Sequence, residues 1–225
     1  MLSGPVVKVT TEHQEAIASL DNGQRSLLLV AASTITGTSP HLEGLWLATY
    51  FPTDTTIQFM PIYAAGNNTL SSLEQQLELT FQIDQTGSTP RLGEEFLRLL
   101  EENNYWWSGY IVFDEVSLAK ATQQTGDVAP NGKAVTDTAA SKASLRALED
   151  PLDGYSSQVA LLQSMCRQIN TGTAPGVAQW ISLIPSHILT DLDASQLQVE
   201  WETLASNPPD RTCRFPTLEI SRVEQ

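Results

Sequence analysis

Side chains that could act as bases or nucleophiles are scattered through the 225-residue sequence. The histidines are His13, His41 and His187, and any of them could act as a base, although widely spaced histidines are more typical of surface or structural groups. The sequence contains no Gly-x-Ser-x-Gly elbow, no Walker loop, no Gly-x-Gly-x-x-Gly turn after its first strand and no His-Glu-x-x-His pair. These absences disfavour serine hydrolases, P-loop and dinucleotide-binding proteins, and zinc peptidases.

Carboxylates offer another type of chemistry, because a glycosidase needs two of them facing one cleft. The candidates are Glu43, Glu94, Glu95, Glu101, Glu102, Asp114 and Glu115. The four glutamates between 94 and 102 lie on or beside a helix with an apolar stripe, so we expect them to form its solvated face.

An aromatic run, Tyr105-Trp106-Trp107, stands out in the middle of the chain. Adjacent residues of a strand point to opposite faces of a sheet, so one tryptophan should enter the core while the other lies near an opening. The run is interpreted as a wall of an apolar ligand pocket or, as the sequence favours, as a satellite of the core.

The composition is that of a folded, strongly acidic protein. Apolar residues make up 41% of the chain, and 12 Lys plus Arg against 26 Asp plus Glu give a net charge of −14. This charge repels phosphate backbones and anionic membranes, which excludes nucleic-acid binding through a broad basic face. No apolar run approaches the roughly 20 residues that span a bilayer. The first residues lack the pattern of a signal peptide, which indicates either a cytoplasmic protein or a sequence that begins after a signal or anchor.

The two cysteines, Cys166 and Cys213, have no histidine nearby at the spacing of a zinc site. We expect two buried thiols, with a disulfide as the alternative in an oxidising compartment.

The hydrophobic pattern predicts the elements that would position these side chains. Apolar runs predict strands at 26–32 and 110–113 and a hairpin of strands at 45–51 and 56–62. Helical spacing predicts helices at 69–80 (capped by Thr69), 92–103, 155–170, 175–183 and 195–206. Asp114 should cap a short helix to residue 120, residues 121–143 should form a mobile loop or insertion, and 215–223 an edge strand.

This order of elements predicts an α/β sandwich around a mixed sheet. Because the sequence has no internal repeat and no second core, residues 1–225 are predicted to form one domain, with 1–24 as an N-terminal extension.

Four stretches of the sequence, taken in order, resemble the LytR-CpsA-Psr family of cell-envelope proteins. Residues 25–31 look like its opening strand, and 41–47 through 60–62 look like its Arg-Ser-Asp segment, following strand and Ile-Pro-Arg-Asp turn. Residues 110–120 to 126–128 are similar to its strand–helix unit ending in Gly-Gly-Val, and 161–169 with 188–192 are similar to its long helix and Thr-Asn-Leu turn. The resemblance covers residues 25–206 and implies a three-layer α/β/α sandwich.

The resemblance also implies a reaction, the transfer of a phospho-linked glycopolymer from a polyprenyl carrier to the cell wall. In the family the lipid tail lies in an apolar tunnel, arginines hold the pyrophosphate and carboxylates hold Mg²⁺. This sequence has His41-Leu42-Glu43 in place of Arg-Ser-Asp, Ile62-Tyr63 in place of Arg-Asp, and no paired arginines at 155–160. Only Glu43 and Asp114 match the acidic pattern, so phosphotransfer is expected to be lost.

The sequence therefore predicts a divergent, non-catalytic LytR-CpsA-Psr-like domain outside the cytoplasm, which binds a polyprenyl or other apolar or glycan ligand. The predicted ligand-binding residues are Trp46, Trp107, Phe113, Arg25 and Asp114. His41 and Glu43 are relics of the catalytic site, and Glu43 would bind Mg²⁺ only if the phosphate site survives. No other cofactor and no nucleic acid are expected, and any membrane contact would come from an N-terminal anchor outside this sequence.

Two alternatives stay open. An active phosphotransferase would need other cations on the pyrophosphate, such as Arg25, Arg91 or Arg146 converging from elsewhere in the chain. A protein–protein interaction module would use the acidic surface and segment 121–143, which could order on a basic partner.

Overall fold

The computed structural model describes residues 23–37, 39–52, 56–64, 70–86, 89–118, 151–172, 174, 176–205 and 212–215, with 151–154, 156 and 157 described as helix backbone alone. The strands are β1 (Arg25–Ala32), β2 (Leu42–Tyr50), β3 (Thr56–Ala64), β4 (Ile83–Asp84), β5 (Arg91–Leu92), β6 (Gly109–Phe113), β7 (Ile188–Thr190) and β8 (Thr212–Arg214). The helices are α1 (Ser72–Thr80), α2 (Glu94–Glu102), α3 (Pro151–Thr171), α4 (Val177–Ile181) and α5 (Ala194–Ala205). Across these described ranges, no helix combines the length and apolar character needed to cross a membrane. Segments 121–143 and 216–223, predicted as a loop and a strand, lie outside the described residues.

Six strands form a mixed sheet in the order β7-β6-β1-β2-β3-β8. β1 runs antiparallel to β2, with Arg25 opposite Tyr50 and Ala32 opposite Leu42. It runs parallel to β6, so both strands finish at the same end of the sheet, beside Phe113. We call the end with Leu42 and Phe113 the upper end, and the end with Arg25 and Tyr50 the lower end.

The first face of the sheet packs against α1 and α2. Alternate side chains of β1 point to opposite faces, and Leu28 and Val30 point to this one. They form a core with Leu77 of α1 and with Phe96 and Leu100 of α2, and all five side chains are fully buried. Dense packing of this kind leaves little room for a ligand.

The second face packs against α3 and α5. Leu27 and Trp46 lie on this face, together with Leu162 of α3 and Leu204 of α5. Helices on both faces complete three layers, so the predicted α/β/α sandwich around a mixed sheet is confirmed.

The start of α1 differs from the prediction. Ser71, and not Thr69, is the cap, because its Oγ accepts a hydrogen bond from the Glu74 backbone N–H at 3.3 Å while Glu74 Oε2 accepts one from the Ser71 N–H at 2.7 Å. A glutamate three residues after the cap makes this reciprocal pairing, and Thr69 has Ser72 at that spacing.

The aromatic run divides as expected, although it precedes β6 and is not part of a strand. Trp107 is 7% exposed and belongs to the core under α1 and α2, whereas Trp106 is 44% exposed.

Strand β8, which was not predicted, precedes the segment predicted as the edge strand and pairs in parallel with β3. Its Cys213 forms a disulfide with Cys166 of α3, with Cα atoms 6.4 Å apart. The expectation of two thiols is therefore wrong. The sheet order brings β8 beneath α3, a proximity that the 47-residue separation of the cysteines hides in the sequence.

Candidate functional site

An apolar cavity of about 140 Å³ lies between the second face of the sheet and helices α3 and α5. Its sheet wall includes Leu27, Leu29, Trp46, Ala48, Phe59 and Phe113, and its helix wall includes Leu161, Leu162, Met165, Trp201 and Leu204. A single buried water needs only about 10–15 Å³ of such volume, so the space is sizeable. The predicted ligand-binding residues Trp46 and Phe113 both line it.

A smaller chamber of about 60 Å³ adjoins this cavity below α4. The two spaces share Ile111, Phe113, Met165 and Trp201 as walls. Trp180 of α4 lines the smaller chamber, with its ring 6.0 Å from that of Phe113 and 5.9 Å from that of Trp201. The apolar space therefore continues along the sheet from α3 to α4.

A buried, neutral amide lies at the upper end of the cavity. Gln158 of α3 is 4% exposed; its Oε1 accepts a 2.6 Å hydrogen bond from Trp46 Nε1, and its Nε2 donates a 2.9 Å bond to the Glu43 carbonyl oxygen. Gly44 leaves room for this amide, since a Cβ there would lie 2.8 Å from Oε1. Tyr155 stacks on Trp46 at 5.4 Å, and burial raises the pKa of its phenol, which keeps it neutral.

An ion pair lies at the lower end of the sheet, next to Tyr50, which lines the cavity. The Tyr50 hydroxyl donates to Glu200 of α5, and Arg25 Nη1 lies 3.2 Å from the other carboxylate oxygen of Glu200. The Cys166–Cys213 disulfide lines the cavity as well.

Asp114 and His187 form a hydrogen-bonded pair at the upper end of the sheet. Asp114 is 5% exposed, and its Oδ2 lies 2.8 Å from His187 Nδ1 while its Oδ1 accepts from the Ser117 N–H at 3.0 Å. The predicted cap is thereby confirmed, since residues 115–118 form a helical turn. An imidazole oriented by a carboxylate can take up a proton at its other nitrogen.

The structure brings His41, Glu43 and Asp114 to the same end of the sheet. His41 is exposed, and its backbone N–H bonds to Ser33 Oγ at 2.9 Å. β1 separates Glu43 of β2 from Asp114 after β6, so two strand spacings, about 10 Å, lie between their backbones.

Solved structures of other proteins share this architecture. TagV of B. subtilis has a TM-score of 0.55 over 87% of this chain and 85% of that chain, at 12% identity. TagT, solved as "TagT bound to LIIa-WTA", has a TM-score of 0.56 over 86% of this chain and 78% of that chain, at 10% identity. A protein described as a transcriptional regulator (EF0465) from Enterococcus faecalis has a TM-score of 0.56 over 87% and 76%, at 14% identity. The chain has the LytR-CpsA-Psr fold.

TagV and TagT belong to the LytR-CpsA-Psr family, so the resemblance drawn from the sequence is confirmed for the fold. No protein-family model and no curated protein matches the chain.

The upper-end carboxylates do not fit the Mg²⁺ that the LytR-CpsA-Psr fold implies. Mg²⁺ requires near-octahedral oxygen ligands at about 2.0–2.1 Å. Both oxygens of Asp114 already accept hydrogen bonds, and Glu43 lies two strands away. In the part of the chain that the structure describes, no group of three or more His, Cys, Asp or Glu residues could hold a metal ion.

Two of the arginines that the alternative of an active phosphotransferase would use lie in different parts of the fold. Arg25 pairs with Glu200 at the lower end, whereas Arg91 of β5 lies 3.5 Å from Asp84 and 3.4 Å from Glu94 on the first face. Arg25 and Arg91 therefore do not meet at one site, and Arg146 lies outside the described residues.

The structure also places one predicted residue away from the cavity and adds two residues that were not predicted. Trp107 belongs to the core on the first face, and so does not reach the cavity. Sequence reasoning missed Gln158 and Tyr155. The sequence did contain a sign of their role, because both residues are spaced to lie on the same face of α3 as Leu162 and Cys166. A glutamine there interrupts an otherwise apolar stripe.

Proposed function

We propose that this chain is a cell-envelope domain of the LytR-CpsA-Psr type that binds the apolar chain of a lipid and does not catalyse phosphotransfer. The observation that carries this proposal is the cavity of about 140 Å³ behind the sheet. Transfer of an apolar chain from water into this space would contribute about 0.8 kcal/mol of favourable binding free energy for each buried methylene. TagT, which has the same fold, was solved bound to LIIa-WTA, and this precedent favours a ligand in this type of domain.

The lack of cations among the described residues at the upper end of the sheet argues against transfer of a phosphate. The sequence has no Lys or Arg at 26–90, 99–119, 147–166 or 168–210, which are the segments that supply the upper end of the sheet and most of the cavity. Each charge-assisted hydrogen bond to a phosphate contributes about 1.5–3 kcal/mol, so a site lacking several of them would hold pyrophosphate weakly.

The disulfide supports a location outside the cytoplasm. Cys166 and Cys213 are bonded, and disulfides persist in oxidising compartments.

Ligand binding is tested with the purified chain in two ways. Organic extraction followed by mass spectrometry should recover a lipid from the protein. Thermal unfolding with added isoprenoid lipids should show stabilisation of about 2.7 kcal/mol at 100 times the dissociation constant, or about 5–10 °C for a chain of this size. If no lipid of any head group is extracted or raises the melting temperature, the binding proposal fails.

Catalysis is tested separately with a polyprenyl-pyrophosphate-linked glycan donor, with and without Mg²⁺. We expect no transfer above background, and no difference between the wild type and Glu43→Ala. A Mg²⁺-dependent rate that falls in Glu43→Ala would establish the transferase and overturn the non-catalytic half of the proposal.

A further inference from the structure

The two apolar spaces lie under neighbouring parts of the sheet. The larger cavity has walls on β1, β2, β3 and β6, whereas the smaller chamber has walls on β6 and β7 and is covered by α4. Because β7 is the neighbour of β6 in the sheet, the chamber extends the cavity by one strand spacing, about 5 Å. A chain that fills the larger cavity and continues in the same direction would enter the chamber.

The described walls of the smaller chamber are aliphatic or aromatic. Val177 and Ile181 of α4, Ile188 of β7 and Leu197 of α5 line this chamber and not the larger cavity. Such walls favour a hydrocarbon, because a polar group placed among them would lose its hydrogen bonds to water. The chamber is therefore suited to the end of an apolar chain, whatever head group the chain carries.

A partition separates the two spaces. The side chains that line both of them are Ile111, Phe113, Met165 and Trp201. Ile111 belongs to β6, which is paired with β1 on one side and β7 on the other. The rings of Phe113 and Trp201 both pack against Trp180, at 6.0 and 5.9 Å. Met165 is the flexible member of the partition, since its unbranched side chain has three rotatable bonds and adapts to irregular space.

The backbone that carries Met165 is held in place. The next residue, Cys166, is bonded to Cys213 of β8, and Leu162 on the same helix is buried against the second face of the sheet. We therefore expect the passage between the two spaces to widen by rotation of the Met165 side chain and not by displacement of α3.

We propose that the chamber below α4 receives the far end of a long hydrocarbon chain, and that Met165 determines whether a chain is long enough to reach it. This inference rests on the proposed function, because it concerns the same ligand. It adds a length preference: a short chain occupies the larger cavity alone, whereas a longer chain displaces Met165 and gains the contacts of the chamber.

The test measures the affinity of the wild-type protein for linear primary alcohols of increasing length, from octanol to octadecanol. The head group is constant, so the series reports on the chain alone. Binding can be followed by tryptophan fluorescence, because Trp46 and Trp201 line the larger cavity. Each additional buried methylene should tighten binding about fourfold until both spaces are full, after which the affinity should level off.

The variant Val177→Phe places a larger side chain in the smaller chamber. The affinity should then level off at a shorter chain, and the longest alcohols should bind at least about tenfold more weakly, which corresponds to about two methylenes left unburied. The matched control is Val199→Phe on α5, where the valine is 54% exposed and lines neither space. Its dependence on chain length should equal that of the wild type.

The variant Met165→Ala removes the movable part of the partition. Long alcohols no longer need to displace a side chain, so the ratio of long-chain to short-chain affinity should rise about fivefold. The measurement is a ratio within one protein, which cancels a general change in the larger cavity. If this variant does not fold, Val177→Phe tests the chamber by itself, because Val177 lies on a short helix without fully buried residues.

The outcomes distinguish this inference from the proposed function. If no alcohol binds to the wild type, the proposed function fails and the inference fails with it. If the alcohols bind but Val177→Phe and Val199→Phe show the same dependence on chain length, lipid binding stands and the chamber is not part of the site. If Val177→Phe weakens short and long alcohols equally, or folded Met165→Ala leaves the affinity ratio unchanged, the assignment of the far end of the chain is overturned.

Discussion

The substitution Ala48→Leu should fill part of the cavity. We expect it to stabilise the protein and to abolish lipid binding. Ala48 lies in the middle of β2 and lines the cavity. The space of about 140 Å³ beside it is large enough to take the added side chain atoms. The leucine adds three carbons at about 0.8 kcal/mol each, and some strain, so we expect a gain of about 1–2 kcal/mol. This corresponds to a rise of about 2–8 °C in melting temperature.

The matched control is Ala32→Leu in the neighbouring strand β1. Ala32 is fully buried on the first face, where the core is filled, so the same substitution should overpack it and cost about 1–3 kcal/mol. Thermal unfolding of both variants without ligand, and of Ala48→Leu with an isoprenoid lipid, gives the comparison. Equal destabilisation by the two leucines would show that the space beside Ala48 is not empty. Unchanged lipid affinity in Ala48→Leu would show that the ligand binds elsewhere.

Further predictions concern stability. His187→Ala leaves the buried Asp114 carboxylate without its imidazole, and urea unfolding should show a loss of about 1–3 kcal/mol; a loss within error would contradict a structural role for the pair. Reduction of Cys166–Cys213 frees a 47-residue segment and should cost up to about 4 kcal/mol, measured by unfolding with and without dithiothreitol, whereas an unchanged midpoint would refute this. Burial, with Glu78, Glu43 and Glu74 nearby, raises the pKa of Tyr63, so the folded state favours the protonated phenol. Stability should therefore fall as the pH rises above about 10, and less so in Tyr63→Phe; parallel curves for the two proteins would contradict this.

Much of the fold could be predicted because short-range patterns specify it. The apolar run of β1 and the hairpin of β2 and β3 appear at nearly the predicted positions. However, an apolar run does not reveal which of its residues pack into the filled core and which face the cavity. Leu28 packs in the dense core while Leu29 lines the cavity, and this difference depends on the helices placed over each face.

The candidate site was less predictable because its contacts join distant parts of the chain. Trp46 was recognised as a pocket wall, but its hydrogen bond to Gln158 spans 112 residues. Arg25 is paired with Glu200, which lies even further away in the sequence, and this pairing removes Arg25 from any phosphate site. Trp107 precedes β6 in an irregular segment, where strand alternation gives no information about its direction.

Helix α3 is attached to the sheet at two points. Gln158 bonds to β2, and Cys166, eight positions further along the helix or about 12 Å, is covalently linked to β8. We expect a helix fixed at both points to resist settling into the space beneath it, so that the cavity keeps its shape when it is empty. A ligand that enters would then find a preorganised site and lose little free energy to rearrangement of the protein. If the proposed lipid binds in this cavity, the disulfide would contribute to its affinity as well as to stability, because it would keep the empty cavity in its binding form.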